Sequence, residues 1–319
     1  MYLLFFLFFN FFLINKHSNI SSYLKIYDLN SKNNISLYGG ILLFLNIFII
    51  NIFFYYQIIP YEHFYKLNNL LIIFSLFLLG LIDDKFKIAA SIRICFIIIF
   101  LYFLLKDESY LITYLNFSFR EEFFYFNENS FFSISFTIFC ILSLINALNF
   151  FDGINLQVII YSIIAYLYLF FISYSNVLII VILCLVFFSY LNFQNKSFLG
   201  DSGIYILSII FSLTVIDLHN KNLIYADQIC FLFLFPGLDM TRLCLERLYK
   251  RKNPFEGDFE HIHHLMKKKY FEKTPFIIII LSFVPIALYE VLNSKLSVLI
   301  LSLGLYLSTI VFLKFYENK

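Results

Sequence analysis

The chain has 319 residues, of which 61% are hydrophobic and only 14% are charged. Soluble domains carry about 25% charged residues, so this composition excludes a soluble globular protein and predicts an integral membrane protein. The net charge of +2 gives no indication of nucleic acid as a partner.

Apolar runs recur along the whole chain, and a helix needs a run of about 17 to 25 residues to cross a bilayer. They predict an all-α bundle of ten or eleven transmembrane helices that forms one integral-membrane domain over residues 1–319. The predicted spans are 2–15, 39–59, 67–82, 91–105, 131–148, 156–173, 176–192, 203–217, 227–241, 275–291 and 295–315.

The first apolar run, Tyr2 to Ile14, has no basic segment before it and no small-residue cleavage site after it. A secretory signal peptide needs both features. The run therefore predicts the core of the first membrane helix.

The distribution of positive charge predicts the orientation. With eleven spans, 18 of the Lys and Arg residues fall on one side of the membrane and 5 on the other. The positive-inside rule makes the richer side cytoplasmic and places the N-terminus outside. The longest external loop, 106–130, alternates in part between polar and apolar residues, which leaves a hairpin and a membrane-surface segment as alternatives.

Four polar stretches stand out against this apolar background, all on the predicted cytoplasmic side. Ionisable groups placed in or beside membrane spans are costly, and they indicate a functional site by default. The stretches are GLIDDK (80–85), NALNFFDG (146–153), FLGDSG (198–203) and NPFEGDFEHIHH (253–264).

Each stretch also has a purely structural interpretation. Asp83 and Asp84 could be solvated charges at a helix end, and Asn146 with Asn149 could join helices by hydrogen bonds. Asp201 could stabilise a turn, and the histidines could lie in a solvated loop without a metal. The nearby basic residues could simply follow the positive-inside rule.

Taken together, the four stretches favour one shared chemistry. Carboxylate and amide oxygens suit Mg²⁺, which usually takes one or two protein carboxylates together with substrate phosphates. Cations and imidazoles suit phosphate. The combination predicts metal-assisted phosphoryl transfer at the inner surface of the membrane.

In order and in sidedness, the stretches resemble those of the polyprenyl-phosphate N-acetylhexosamine-1-phosphate transferases. The resemblance runs from Asp28 to His264 and so covers most of the chain. The HIHH pattern at 261–264, with Pro254-Phe255 and Asp258 before it, is similar to the WecA-like branch of that family. The MraY branch instead carries four consecutive histidines followed by an acid.

Three details depart from the usual pattern of the family. The first loop has no His after its basic residue, although it keeps Asp28, Lys32, Gly39 and Gly40. Ile204 stands where a small residue often follows the GDxG motif, and DGINL at 152–156 lacks the second glycine of DGxxGL. These departures concern loops and substrate choice and leave the acids intact.

The resemblance implies transfer of N-acetylhexosamine-1-phosphate, with GlcNAc as the expected sugar, from a UDP-sugar to undecaprenyl phosphate with release of UMP. It implies a multi-pass protein of the bacterial inner membrane that initiates lipid-linked envelope glycans of the O-antigen type. It further implies Mg²⁺ as the cofactor, with Mn²⁺ as a substitute, and is compatible with a homodimer.

The resemblance also implies roles for individual residues. Arg93 is expected to bind the lipid phosphate, and the histidines the phosphates of the donor. Asp83 is open as either a general base or a positioning group. The catalytic residues are Asp83, Asp84, Asp152 and Asp201, the metal ligands are Asn149 and Asp201, and the substrate-binding residues are Arg93, Asn146, Arg247, His261, His263 and His264.

Three alternatives stay open at the level of the sequence. An MraY-like enzyme would use UDP-muramoyl-pentapeptide in the same chemistry. A transporter would place its acids near the middle of the membrane, within broken helices, rather than at the ends of spans. An inactive scaffold would have no need of the intact acids and histidines.

Overall fold

A computed structural model describes residues 2–28, 35–59, 67–105, 110–126, 131–253 and 260–317 of the chain. This part is almost entirely helical, which confirms the predicted all-α fold of a polytopic membrane protein. The helices are α1 (Tyr2–Asn15), α2 (His17–Leu24), α3 (Gly39–Tyr55), α4 (Leu67–Phe86), α5 (Ala90–Leu104), α6 (Phe131–Phe151), α7 (Gln157–Ser173), α8 (Asn176–Phe193), α9 (Gly200–Asn220), α10 (Ala226–Leu232), α11 (Leu234–Tyr249), α12 (Ile262–Tyr270), α13 (Thr274–Val291) and α14 (Lys295–Glu317).

Each of the eleven predicted apolar runs coincides with helix. Within the described residues, five helices are long and apolar enough to cross a membrane, and two bent helix pairs raise that number to seven. The helices α3, α5 and α7 are apolar but shorter. A multi-pass membrane protein follows from these helices, whereas the number of eleven crossings and the sidedness stay predictions.

The ninth predicted span, 227–241, is divided between two helices. α10 and α11 are bent by 71° at the break between them. Pro236 lies in the first turn of α11, where its missing N–H leaves no intrahelical hydrogen bond unmade. α11 then continues to Tyr249 and α12 follows, so the described part of the predicted loop 242–274 is largely helical.

Helix α9 is the centre of the bundle. In its 18-residue apolar stretch, 94% of the residues are buried inside the protein. The helix packs against α3, α4, α6 and α7. A Cβ atom added to Gly80 would lie 2.3 Å from Ser202 Cα, and one added to Gly40 would lie 2.7 Å from Gly203 N. Small residues that let backbones approach this closely are typical of helix packing in membranes.

The predicted external loop contains a hairpin, one of the two alternatives that its alternation left open. Strands β1 (Tyr114–Leu115) and β2 (Phe124–Tyr125) pair antiparallel. The hairpin packs on the C-terminal end of α9, where the Tyr114 hydroxyl lies 3.2 Å from the His219 carbonyl oxygen and 3.1 Å from that of Asn220. A phenol in this position satisfies helix carbonyls that have no intrahelical partner.

Candidate active site

The polar stretches meet at the end of the bundle opposite the hairpin. The Asp84 carboxylate at the end of α4 accepts a hydrogen bond from the Asp201 backbone N–H at the start of α9. The loop that follows α6 lies against the start of α12, because a Cβ atom on Gly153 would overlap the His263 ring. The Phe150 and His261 rings also pack edge to face, with centroids 5.4 Å apart.

Asp83 is held on both of its carboxylate oxygens. Its Oδ2 accepts a hydrogen bond from the Arg93 guanidinium at 2.6 Å, and its Oδ1 accepts one from the Ile88 backbone N–H at 2.8 Å. The side chain is buried. Asp83 therefore joins the end of α4 to the start of α5 and fixes the position of the Arg93 guanidinium.

Asp84 caps a helix that is distant in sequence. α9 has no capping side chain of its own, and its first N–H groups lack intrahelical acceptors. Asp84 accepts hydrogen bonds from the Asp201 N–H at 2.7 Å, the Ser202 N–H at 3.2 Å and the Ser202 hydroxyl at 2.8 Å. A carboxylate at this position also interacts favourably with the helix dipole.

The residue before Asp201 must be glycine for two reasons. Gly200 has φ of +75°, a left-handed conformation that other residues rarely adopt. A Cβ atom there would lie 2.8 Å from Asp84 Oδ2. The glycine thus permits the close contact between the Asp84 carboxylate and the start of α9.

Asp152 and Asp201 differ from the first two acids in their surroundings. No described residue donates a hydrogen bond to either carboxylate, and both side chains are reached by solvent. Their oxygens can therefore accept an external ligand. This division of the four predicted catalytic acids into two engaged and two accessible carboxylates is the main feature of the site.

The ionisation of Asp152 is perturbed by its position in the loop after α6. Burial by the surrounding protein, together with the negative charge of Asp84, raises the pKa of the Asp152 carboxyl to about 7. The side chain is nevertheless reached by solvent. Its charge is thus expected to change near neutral pH.

The two predicted carboxamides lie on the last turns of α6. The Asn146 side chain donates a hydrogen bond at 2.9 Å to the Leu142 carbonyl of its own helix. Asn149 is half-buried, and no described residue forms a hydrogen bond with its side chain. Of the two carboxamides, Asn149 is therefore more available to bind a ligand.

The glycines of the first loop lie beside the start of α9. Gly39 and Gly40 donate backbone hydrogen bonds to the carbonyl oxygens of Phe198 and Leu199, at 3.3 and 3.1 Å. Asp28 closes the loop with a backbone hydrogen bond to Ile35. Lys32 of this loop lies outside the described residues, as do Pro254, Phe255 and Asp258 of the last stretch.

The histidine block forms a compact stack at the start of α12. The His261 and His263 rings are stacked with centroids 5.1 Å apart, and the His263 and His264 rings meet at 4.3 Å. His261 and His263 are buried, whereas His264 is half-buried. Arg247 is also buried, with its guanidinium 5.2 Å from the Phe150 ring centre. Direct substrate contact by these groups stays a prediction.

Three residues of this region were not identified from the sequence. Asp239 on α11 forms an ion pair with Arg242 at 2.8 Å and faces His261. Its position inside a predicted span could have identified it, since ionisable groups in a span indicate function.

Asn192 joins two loops, because its side chain accepts a hydrogen bond from the Leu156 N–H and donates one to the Ser197 carbonyl. Tyr205 is fully buried, and its hydroxyl has no described partner.

The residues at this end of the bundle fit a magnesium ion in their donor chemistry. Mg²⁺ usually keeps several waters and takes one or two carboxylates plus substrate phosphates. Asp152, Asp201 and Asn149 offer two carboxylates and an amide that are not hydrogen-bonded to described residues. No three His, Cys, Asp or Glu side chains converge on a metal position within the described residues, so an ion would need ligands from substrate and water.

The family comparison covers the middle of the chain. A family model described as glycosyl transferase family 4 matches residues 67–219, a segment that includes α4, the loop after α6 and the start of α9. A search of curated proteins finds no significant match. The family match does not separate the WecA-like branch from the others, so that assignment stays a prediction. Residues 67–219 thus match glycosyl transferase family 4, the WecA/MraY superfamily, and this match supports a transferase that moves a phospho-sugar onto a lipid carrier.

Proposed function

We propose that this protein transfers N-acetylhexosamine-1-phosphate, with GlcNAc as the expected sugar, from a UDP-sugar to undecaprenyl phosphate. The observation that carries the proposal is the pair of accessible acids, Asp152 and Asp201, beside two engaged acids at one end of the bundle. The family match over the same residues supports the transfer of a phospho-sugar to a lipid. The cell would use the product to begin a lipid-linked envelope glycan at the bacterial inner membrane.

The reaction exchanges one phosphoanhydride for another. An oxygen of the lipid phosphate attacks the phosphorus that carries the sugar, and a new P–O–P bond forms. The bond from that phosphorus to the bridging oxygen of UMP breaks, and UMP leaves with the electron pair. Such a step depends mainly on positioning and on stabilisation of negative charge.

The position of the site suits the two substrates. A lipid phosphate stays at headgroup level while its tail remains in the bilayer, and a nucleotide-sugar arrives from water. Asp84, Asp152 and Asp201 lie where α4 and α6 end and α9 begins. The location of these acids at the end of the apolar α4 supports a meeting of both substrates there.

Asp201, with Asn149 and Asp152, would hold the divalent cation. When bound, Mg²⁺ or Mn²⁺ would neutralise charge on the pyrophosphate of the donor. Asp84 would keep Asp201 in place, since it accepts hydrogen bonds from the backbone N–H groups of Asp201 and Ser202.

Arg93 would bind the lipid phosphate, and Asp83 would position its guanidinium. The 2.6 Å ion pair uses one carboxylate oxygen of Asp83, and the Ile88 N–H uses the other. A phosphate monoester has its second pKa near 6 and is mostly dianionic at neutral pH, so it hardly needs a base. Positioning is therefore favoured over general-base catalysis for Asp83.

The role of Asp83 can be tested by its pH–rate profile. Asp83→Asn is expected to reduce the rate strongly while the acidic limb of the profile remains. Loss of that limb in Asp83→Asn would instead identify the carboxylate as a general base.

The direct test of the proposed function uses membranes that contain this protein, Mg²⁺, undecaprenyl phosphate and radiolabelled UDP-GlcNAc. We expect label in the lipid phase and UMP in the aqueous phase, with both products lost in Asp201→Asn. Asp217→Asn is the matched control, because Asp217 lies at the far end of the same helix in an ion pair with Lys221.

Two results would contradict the proposal. Release of UDP instead of UMP would mean transfer of the sugar alone. Turnover with UDP-muramoyl-pentapeptide but with none of several UDP-N-acetylhexosamines would place the protein with the MraY enzymes.

A further inference from the structure

A buried chain of charged groups lies beneath the histidine block. Asp239 is 2% exposed, and its Oδ1 accepts hydrogen bonds from the Arg242 guanidinium at 2.8 Å and the Tyr306 hydroxyl at 3.2 Å. Because a buried carboxylate beside a guanidinium is stabilised in its charged form, Asp239 is an anion that can only accept hydrogen bonds.

The other oxygen of Asp239 faces the start of α12. Its Oδ2 lies 3.5 Å from His261 Nδ1, at the limit of hydrogen-bonding distance, and accepts a hydrogen bond from the Ile262 N–H at 3.4 Å. His261 is the residue that precedes the first turn of α12. A single carboxylate thus contacts both the ring and the backbone of this turn.

The opposite nitrogen of the ring faces a cation. His261 Nε2 lies 3.4 Å from an Arg247 guanidinium nitrogen, and a guanidinium donates hydrogen bonds but never accepts them. Nε2 must therefore present its lone pair to Arg247. The ring proton then lies on Nδ1, which faces the Asp239 carboxylate at 3.5 Å without a hydrogen bond to a described residue.

The two other protonation states of His261 are disfavoured by the same neighbours. The Nε2–H tautomer would direct a donor at Arg247 and a lone pair at the Asp239 carboxylate. A doubly protonated ring would direct the same Nε2–H donor at the Arg247 guanidinium, which cannot accept it.

We infer, on the basis of the proposed function, that Asp239 is a positioning residue for donor binding, because it and Arg247 hold His261 as the neutral Nδ1–H tautomer. The positioned element is the first turn of α12. This turn carries His264, the histidine of the block that is only half-buried, and its N–H donates to the His261 carbonyl at 3.0 Å. Asp239 acts on the donor site through this turn.

The tautomer can be measured without any enzyme activity. The full-length protein, labelled with ¹³C,¹⁵N-histidine and reconstituted in lipid, has six histidines, and His261→Asn identifies the signals of His261. At pH 7 we expect a neutral ring with its proton on Nδ1. A ring protonated on Nε2, or on both nitrogens, would overturn the inference.

The second experiment measures the tautomer of His261 in the Asp239→Asn variant. Its one carbonyl oxygen is expected to stay on the Arg242 guanidinium, so its amide N–H₂ would face His261 Nδ1. The proton of His261 should then move to Nε2, toward Arg247. An unchanged Nδ1–H tautomer in Asp239→Asn would show that Asp239 does not control the ring.

The kinetic arm separates positioning from general stability. Asp239→Asn is expected to raise KM for the UDP-sugar by about tenfold without raising KM for the lipid phosphate. His261→Asn should have a similar effect, and the double variant should be no worse than the poorer single one. Additive losses, or an equal rise in both KM values, would contradict the inference.

A matched control replaces a buried acid at the other end of the bundle. Asp227 accepts hydrogen bonds from the Ser118 N–H and hydroxyl near the hairpin. Asp227→Asn should leave both KM values unchanged even where it lowers stability. If the wild-type protein transfers no phospho-sugar, the proposed function fails, whereas the spectroscopic arm still decides the tautomer.

Discussion

At the scale of single residues, the carboxylates of Asp84 and Asp201 have different roles, one structural and one in ligand binding. Both are aspartates at helix ends that face each other, and the N–H of one donates to the carboxylate of the other. Asp84 has three donors on its oxygens, whereas no described residue donates to the Asp201 carboxylate. The first is therefore suited to hold structure and the second to bind a ligand.

Substitution should separate these two roles. Asp84→Asn is expected to lower stability by about 2 kcal/mol, because hydrogen bonds to charged groups contribute about 1.5–3 kcal/mol. Asp201→Asn should lose activity by about 100-fold or more with an unchanged or higher Tm, because repulsion from Asp84 is relieved. Thermal unfolding and label transfer measure both effects. A destabilised Asp201→Asn beside a fully stable Asp84→Asn would reverse the assignment.

The raised pKa of Asp152, about 7, predicts a pH dependence. The folded protein holds this proton more tightly than the unfolded chain does, so the contribution of Asp152 to stability falls as pH rises from about 4 to about 7. Without Mg²⁺, Tm should therefore decline across this window, and Mg²⁺ should restore Tm above pH 7. Differential scanning fluorimetry in detergent would follow both changes.

The same ionisation of Asp152 should also affect the Mg²⁺ dependence of the transfer rate. Metal ligands must be deprotonated, so the Mg²⁺ concentration for half-maximal rate should rise as pH falls below about 7. Asp152→Asn should remove this proton dependence from both Mg²⁺ binding and Tm. Wild-type and variant profiles of the same slope would show that another group controls the metal site.

At the scale of elements, the contact between α4 and α9 determines the site. Gly80 lets the backbone of α9 approach α4, and this approach brings the Asp84 carboxylate within reach of the first N–H groups of α9. A larger side chain would separate the helices and leave a buried carboxylate without donors. Gly80 thus permits both the close packing of α4 on α9 and the hydrogen bonds of the Asp84 carboxylate.

Gly80→Ala tests this link. The added Cβ would lie 2.3 Å from the Ser202 backbone, and such overpacking costs about 1–3 kcal/mol, so both Tm and transferase activity should fall. Gly304→Ala is the control, since nothing lies within 4 Å of its added Cβ and alanine favours a helix interior by about 0.5–1 kcal/mol. Equal Tm values for both variants would mean that α4 and α9 adjust freely.

At the scale of the whole molecule, the bundle has two different polar ends. One carries the acids and the histidine block, and the other carries the hairpin on α9 and α10. The hairpin satisfies the last carbonyls of α9 through Tyr114 and the start of α10 through the Asn116 carbonyl, which accepts from the Ala226 N–H at 2.8 Å. The second end is closed by internal hydrogen bonds, whereas the first keeps accessible carboxylates.

The predicted orientation can be tested by cysteine labelling. In a variant without the five native cysteines, Lys196→Cys and Glu121→Cys place single thiols at exposed positions on opposite ends. A membrane-impermeant maleimide should label position 121 in intact spheroplasts and position 196 only in inverted vesicles. The reverse pattern would place the acids outside the cell and exclude a cytosolic nucleotide-sugar as the donor.

The amino-acid sequence by itself determined the membrane class and the location of the helices. Each of the eleven apolar runs predicted a helix that is found, because burial of apolar side chains in lipid and hydrogen bonding within a helix are both local requirements. The less apolar helices α2 and α12 lie outside these runs. The polar stretches stood out for the same local reason, since charge beside a membrane span is costly. The break between α10 and α11 and the continuation of α11 from position 241 to Tyr249 were missed, because tertiary packing sets helix ends.

Only the tertiary structure decided which polar groups act together. Asp84 and Ser202 are 118 positions apart in the chain, and no local pattern indicates that one caps the helix of the other. Asp239 could be singled out by its place in a span, but its partners on α12 and α14 come from chain folding. The division of the acids into engaged and accessible carboxylates depends on contacts between helices that are distant in sequence. Local sequence patterns do not predict such contacts.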